Sequence, residues 1–97
     1  MALQITHTNN VYVLHGRLCS DQVHEVRNFF KIKLKQYEYL MIDLGGLDDL
    51  DLSAGIMLQD LKKEAYRTNR SFRLTTSGNK KIMGPFQVLD SQLLNAA

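Results

Sequence analysis

The stretch that most restricts how this chain can fold is Tyr39-Leu40-Met41-Ile42, a continuous apolar run set between two segments of helical periodicity. It is too short for a helix between its neighbours and shows no alternation. It therefore reads as a central strand buried on both faces, as parallel strands are. Upstream, Val23, Val26, Phe30, Leu34 and Tyr37 recur at steps of three and four, the buried stripe of an amphipathic helix, while Glu25, Arg27, Lys31, Lys33 and Lys35 lie off it. Ser20 is the expected N-cap there, with Asp21 behind it suiting the positive end of the helix dipole. Downstream, Ala54, Leu58, Leu61 and Ala65 share a face, with Asp60, Lys62, Lys63 and Glu64 mostly outside it. Ser53 is the expected cap of this second helix, and Asn69 closes it in the left-handed conformation that asparagine tolerates.

The remaining segments read as strands and turns. Leu3, Ile5 and His7 alternate with Gln4, Thr6 and Thr8, and Asn9-Asn10 supplies a hairpin turn into an antiparallel strand over residues 11–15 that Gly16 ends. Asp43 to Asp51 holds two glycines and three further acids, which predicts a loop, with Gly45-Gly46 allowing a sharp turn off the third strand. Phe72 and Leu74 alternate with Ser71, Arg73 and Thr75 in a fourth strand. Gly78-Asn79 then turns into a last helical segment in which Val88, Leu89, Leu93 and Leu94 pack, Gly84-Pro85 interrupts the register, and residues 95–97 fray. The order β-β-α-β-α-β-α, with right-handed crossovers, gives an α/β fold. It is a four-stranded mixed sheet with the first strand antiparallel at an edge and the helices mainly on one face.

Ninety-seven residues at 44% hydrophobic and 23% charged make one domain, with a core over about 3–90 and a tail over 91–97. No apolar run approaches the roughly 20 residues that span a bilayer, and the strand-like first twenty residues contain no signal-peptide core, so a cytoplasmic protein without direct membrane insertion is expected. Twelve basic against ten acidic residues leave a net charge of +2, too balanced for a nucleic-acid partner. Cys19 is the only cysteine, which rules out an internal disulfide and a cysteine-rich metal site. Asp48, Asp49 and Asp51 lack the ligand spacing of a calcium loop, and Gly45-Gly46 lacks the spacing and the Lys-Ser/Thr ending of a phosphate loop. Cys19 with His15 or His24 suggests a thiol nucleophile, but His24 falls beside Val23 where it points to solvent or the helix flank, and no third orienting group is identifiable. The lysine run over residues 31–35 reads as a solvated helix face. No catalytic residue, metal or cofactor is expected.

Four local matches, in order and over roughly residues 3–90, resemble the STAS family of anti-sigma factor antagonist domains. Val11-Tyr12-Val13-Leu14-His15-Gly16-Arg17-Leu18 is similar to the family's second strand, and Leu40-Met41-Ile42-Asp43-Leu44 to its third. Gly46-Leu47-Asp48-Asp49-Leu50-Asp51 is similar to the loop that follows. Asp51-Leu52-Ser53-Ala54-Gly55 resembles the Asp-Ser-Ser-Gly or Asp-Leu-Ser turn that opens the second helix. The resemblance implies a non-catalytic regulatory protein that binds a partner of the anti-sigma factor and serine-kinase type, with phosphorylation of a serine at the second helix breaking the complex. Ser53 is the residue that matches the phosphorylated position. Aligned instead on Asp51, the motif places Leu52 there, because one residue more stands before Gly55 than in Asp-Ser-Ser-Gly. The implied partner contacts are Asp48, Asp49, Asp51, Leu52, Ser53 and Gly55, with Ile56, Met57 and Gln59 as an exposed flank.

The sequence leaves two other uses of the chain open. One is a non-phosphorylated STAS subunit of a lipid-transport or other membrane-associated complex, and the other is a small α/β enzyme, which no paired carboxylates or nucleophile–base pair support. Self-association also stays open.

Overall fold

A computed structural model of the protein describes residues 2–82. Strand β1 (Gln4–Thr8) turns through Asn9, at φ 56°, into β2 (Val11–Leu18), and the two pair antiparallel with Thr6 opposite Val13. A 3-10 turn (Ser20–Gln22) leads into helix α1 (Val23–Gln36), β3 (Tyr39–Leu50), helix α2 (Leu52–Arg67), β4 (Ser71–Thr75) and a second 3-10 turn (Lys80–Ile82). The sheet order is β1-β2-β3-β4, and β3 runs parallel to both β2 and β4. The four-stranded mixed sheet is thus the one expected. The last helical segment, with Val88, Leu89, Leu93, Leu94 and the Gly84-Pro85 interruption, lies outside the described residues.

One apolar cluster joins the sheet to both helices. Leu14 and Leu18 of β2, Leu40 and Ile42 of β3, Phe30 of α1, and Leu58 and Leu61 of α2 are all buried in it. The predicted stripe of α2 is buried at all four positions. In α1 the stripe holds for Val26, Phe30 and Leu34, with Val23 half-buried, but Tyr37 is exposed just past the helix end. The run at Tyr39–Ile42 corrects another expectation. Leu40 and Ile42 are fully buried, whereas Met41 is half-buried and Tyr39 exposed, so the helices cover one face of β3 and leave the other partly open. Asn69 ends α2 at φ 60°, as its side chain predicts.

The largest departure from expectation is that Asp43 to Asp51 forms no loop. β3 continues through Gly45 and Gly46 to Leu50. Beyond Asp43 the inward residues are Leu44, Leu47 and Leu50, spaced by three where an ordinary strand needs two. Two single-residue bulges reconcile the spacing. Between Val13 and His15 the facing β3 residues advance three positions, from Asp43 to Gly46, and between Gly16 and Arg17 they advance two, from Leu47 to Asp49. All three leucines stay in the core, where each contributes about 2 kcal/mol.

The glycines serve this arrangement through space and not through a turn. A Cβ at Gly46 would stand 2.5 Å from His15 Nδ1 and 2.8 Å from the Leu14 carbonyl oxygen; at Gly45 it would stand 2.9 Å from Asp43 Oδ1. Gly16 does not end β2. It sits inside the strand at φ 91°, where the register shifts, and only glycine adopts that backbone freely. Since β4 pairs with β3 only as far as Asp43, the carbonyls of Leu44 and Leu47 need other donors, and the Asn79 side-chain amide supplies both, at 3.1 and 2.7 Å.

Candidate functional site

The bulged end of β3 delivers one aspartate to the junction of two helix starts. The Asp51 N–H still follows the sheet, donating to Leu18 O at 3.3 Å, and its carbonyl accepts the first bond of α2 from Gly55 N–H at 3.1 Å. Its backbone is extended, as an N-cap requires. Oδ1 accepts from Ala54 N–H at 2.9 Å and from the Ser53 hydroxyl at 2.8 Å. Oδ2 reaches across to the other helix start and accepts from Ser20 N–H at 2.7 Å. Partial burial pushes the carboxyl upward, but the bonds from Ala54, Ser53 and Ser20 outweigh it and hold the group below the ordinary aspartate range.

Both expected serine caps are therefore corrected. Ser53 is not the N-cap of α2; Asp51 is, and Ser53 stands in the first turn with its hydroxyl turned back onto the cap. Aspartate outcompetes serine here because its two oxygens satisfy two helix starts at once, where a hydroxyl would satisfy one. Ser20 lies inside the 3-10 turn that Cys19 opens, and contributes its backbone amide. The Gln22 side chain accepts from Cys19 N–H at 2.9 Å.

Around this node the predicted contact residues divide. Leu52 and Ile56, one turn apart on α2, are each 44% exposed, and Ser53 is exposed between them. Gly55 and Met57 face the core instead, Met57 with no exposure, so neither belongs to a contact surface. The spacing explains this: Ala54, Met57, Leu58 and Leu61 form the inward stripe, one residue wider than the sequence periodicity suggested. Gln59 is half-buried at a groove of about 770 Å³ between α1 and α2, where Arg27 pairs with Asp60 at 3.7 Å.

The acids before the helix go to different partners. Asp48 meets Lys81 at 3.2 Å, and Asp49 meets Arg17 at 3.4 Å. Arg17 and Lys81 are not singled out by the sequence, because each meets its acid across more than thirty residues: the parallel register sets Arg17 beside Asp49, and the 3-10 turn after β4 brings Lys81 to Asp48. The Cys19 thiol faces the Asp49 carboxylate at 4.0 Å, while His15 lies against Thr6 and His24 against Asn28. Neither imidazole is placed as a base for that thiol. What the surface offers is an exposed apolar pair, a hydroxyl and a rim of paired charges, which is the composition of a protein contact.

No protein-family model and no curated protein sequence matches the chain. Among solved structures it is similar to the anti-sigma factor antagonist SpoIIAA in its unphosphorylated form. The TM-score is 0.69 at 18% sequence identity, over 95% of this chain and 82% of that one. The chain therefore has the STAS fold that its motif order implied. Among the described residues no helix is long and apolar enough to cross a membrane.

Proposed function

We propose that this chain is a non-catalytic, cytoplasmic regulatory protein of the anti-sigma factor antagonist kind, a single domain that docks on a serine-kinase-type anti-sigma partner through the start of α2. The observation that carries the reading is the exposed Leu52–Ser53–Ile56 face beside Asp51, on a fold similar to an anti-sigma factor antagonist. Leu52 and Ile56 supply the apolar anchor, and Arg17, Asp48 and Asp49 supply the polar rim.

Ser53 is the switch in this reading. Its hydroxyl donates to Asp51 Oδ1, and phosphorylation replaces that donor with about −1.5 to −2 charges beside a carboxylate. Free amides at the helix start hold part of the charge, but the contact face turns from apolar to strongly anionic, and an apolar partner surface then pays its desolvation.

The test is to incubate the protein with kinase-type anti-sigma factors and ATP, locate phosphate by mass spectrometry, and titrate the same partners with Ser53→Ala and Ser53→Asp. Phosphate on Ser53 and a loss of binding for Ser53→Asp alone are expected. Binding that ignores both substitutions overturns the switch, and co-purification with a membrane complex under the same indifference would assign the chain to the subunit role.

A further inference from the structure

The two edges of the sheet are protected unequally. β4 carries Arg73 at its centre and follows directly on Arg70, and charge on an edge discourages another strand from pairing with it. β1, Gln4-Ile5-Thr6-His7-Thr8, holds no acid, lysine, arginine or proline, and its register with β2 is free of bulges. Among the described residues, its outer row of backbone N–H and C=O groups faces no strand of the sheet. Beside it runs an apolar trough of about 370 Å³ with Leu3, Ile5, Val26 and Phe29 in its lining. Phe29, 36% exposed, lies on the flank of α1 that overlooks this edge, and Ile32, 55% exposed, stands three residues on and farther round toward solvent.

The charges on that flank are complementary to themselves. About a two-fold axis at Phe29, Glu25 comes opposite Lys33 of a second copy, and Lys33 opposite its Glu25, because the two lie equally far on either side. The strand pairs with itself about Thr6, which sets Ile5 opposite His7 and Gln4 opposite Thr8 with no like charges facing. The two centres lie at neighbouring levels: the Phe29 ring is 5.8 Å from the ring of Tyr12, and Tyr12 is the register partner of His7. One axis therefore serves strand and helix together.

The geometry points to a homodimer in which β1 pairs antiparallel with β1 of a second copy about a two-fold axis near Thr6, joining the two sheets and setting the Phe29 flanks of α1 against each other. With β4 guarded by arginine and β1 open, association stops at two copies and does not run on into a filament. α2 packs on the other side of α1, against β4, so its start stays free for a partner.

Sedimentation equilibrium of the full chain over a concentration series tests this, with circular dichroism and thermal melts of each variant to show that the fold persists. A mass rising toward twice 11.1 kDa is expected. Thr6→Lys sets two ammonium groups face to face at the axis and weakens the dimer about tenfold or more. Glu25→Lys and Lys33→Glu each weaken it about threefold, and the double variant, which exchanges the two charges, recovers the wild-type association. A wild-type monomer throughout the series overturns the proposal. So does a dimer indifferent to Thr6→Lys, or charge variants that the double exchange does not restore.

Discussion

The two helix starts of this fold are built from the same sequence material and solved differently. Each has a serine where a cap is expected, Ser20 and Ser53, and in neither does the serine cap. The α2 start is capped by the residue before it in sequence, Asp51; the α1 side is held by the same carboxylate from across the sheet, through Ser20 N–H. One side chain thus closes a local turn and ties two elements that are thirty-one residues apart. The acceptor that a helix cap needs for its free amides need not come from the helix's own sequence neighbourhood. Ser53 is left exposed with one bond to the cap, so in the proposed switch its modification removes that bond while Ala54 N–H still reaches Asp51.

Both helix starts lose most if Asp51 never reaches the node. Gly46→Ala places a methyl group against the Leu14 carbonyl and the His15 ring, so the bulge must shift, and a loss of about 2–3 kcal/mol is expected in urea unfolding. Asp51→Ala leaves the strand intact but removes the acceptor from both helix starts, which costs about 2 kcal/mol. Amide exchange should then quicken at Ser20 and Ala54 together. Quickening at Ala54 alone would mean that the α1 side does not depend on this carboxylate.

Acid sharpens the same point. Because hydrogen bonds hold the Asp51 carboxyl below its ordinary range, its stabilisation is fully present above the unfolded value, about 3.9, and is lost as pH falls through the lower folded value. Asp51→Asn keeps a capping side chain without the charge, so its stability deficit against wild type should narrow as pH drops below about 4. Smallest of all, Ser53→Ala and Ser20→Ala should each change stability by less than about 0.5 kcal/mol, since one loses a single exposed hydroxyl bond and the other keeps the amide that matters. A larger effect at Ser20 would return its side chain to a capping role.

How much of this was legible follows the same division between local and cross-sheet terms. The stripes of α1 and α2, the hairpin at Asn9 and the end at Asn69 depend on residues within a turn or two of each other, and the sequence pattern exposes them. The second half of β3 reads as a loop in the sequence because Gly45, Gly46 and three acids look like turn chemistry. Nothing local says that Leu44, Leu47 and Leu50 are brought inward by two bulges against β2. Asp51 was visible as a motif residue, but its bond to Ser20 exists only once β2 and β3 lie in register. Met57 departs from the sequence pattern for a plainer reason: the inward stripe of α2 is one residue wider than its four most regular positions.

In the proposed function a protein partner docks on the start of α2. Amide spectra of the labelled chain, titrated with a kinase-type anti-sigma factor, test it most directly. Perturbed amides centred on residues 49–56 are expected, with Leu52→Asp and Ile56→Asp abolishing the response. Perturbation confined to β1 or to the groove between α1 and α2, with residues 49–56 unmoved, would contradict it.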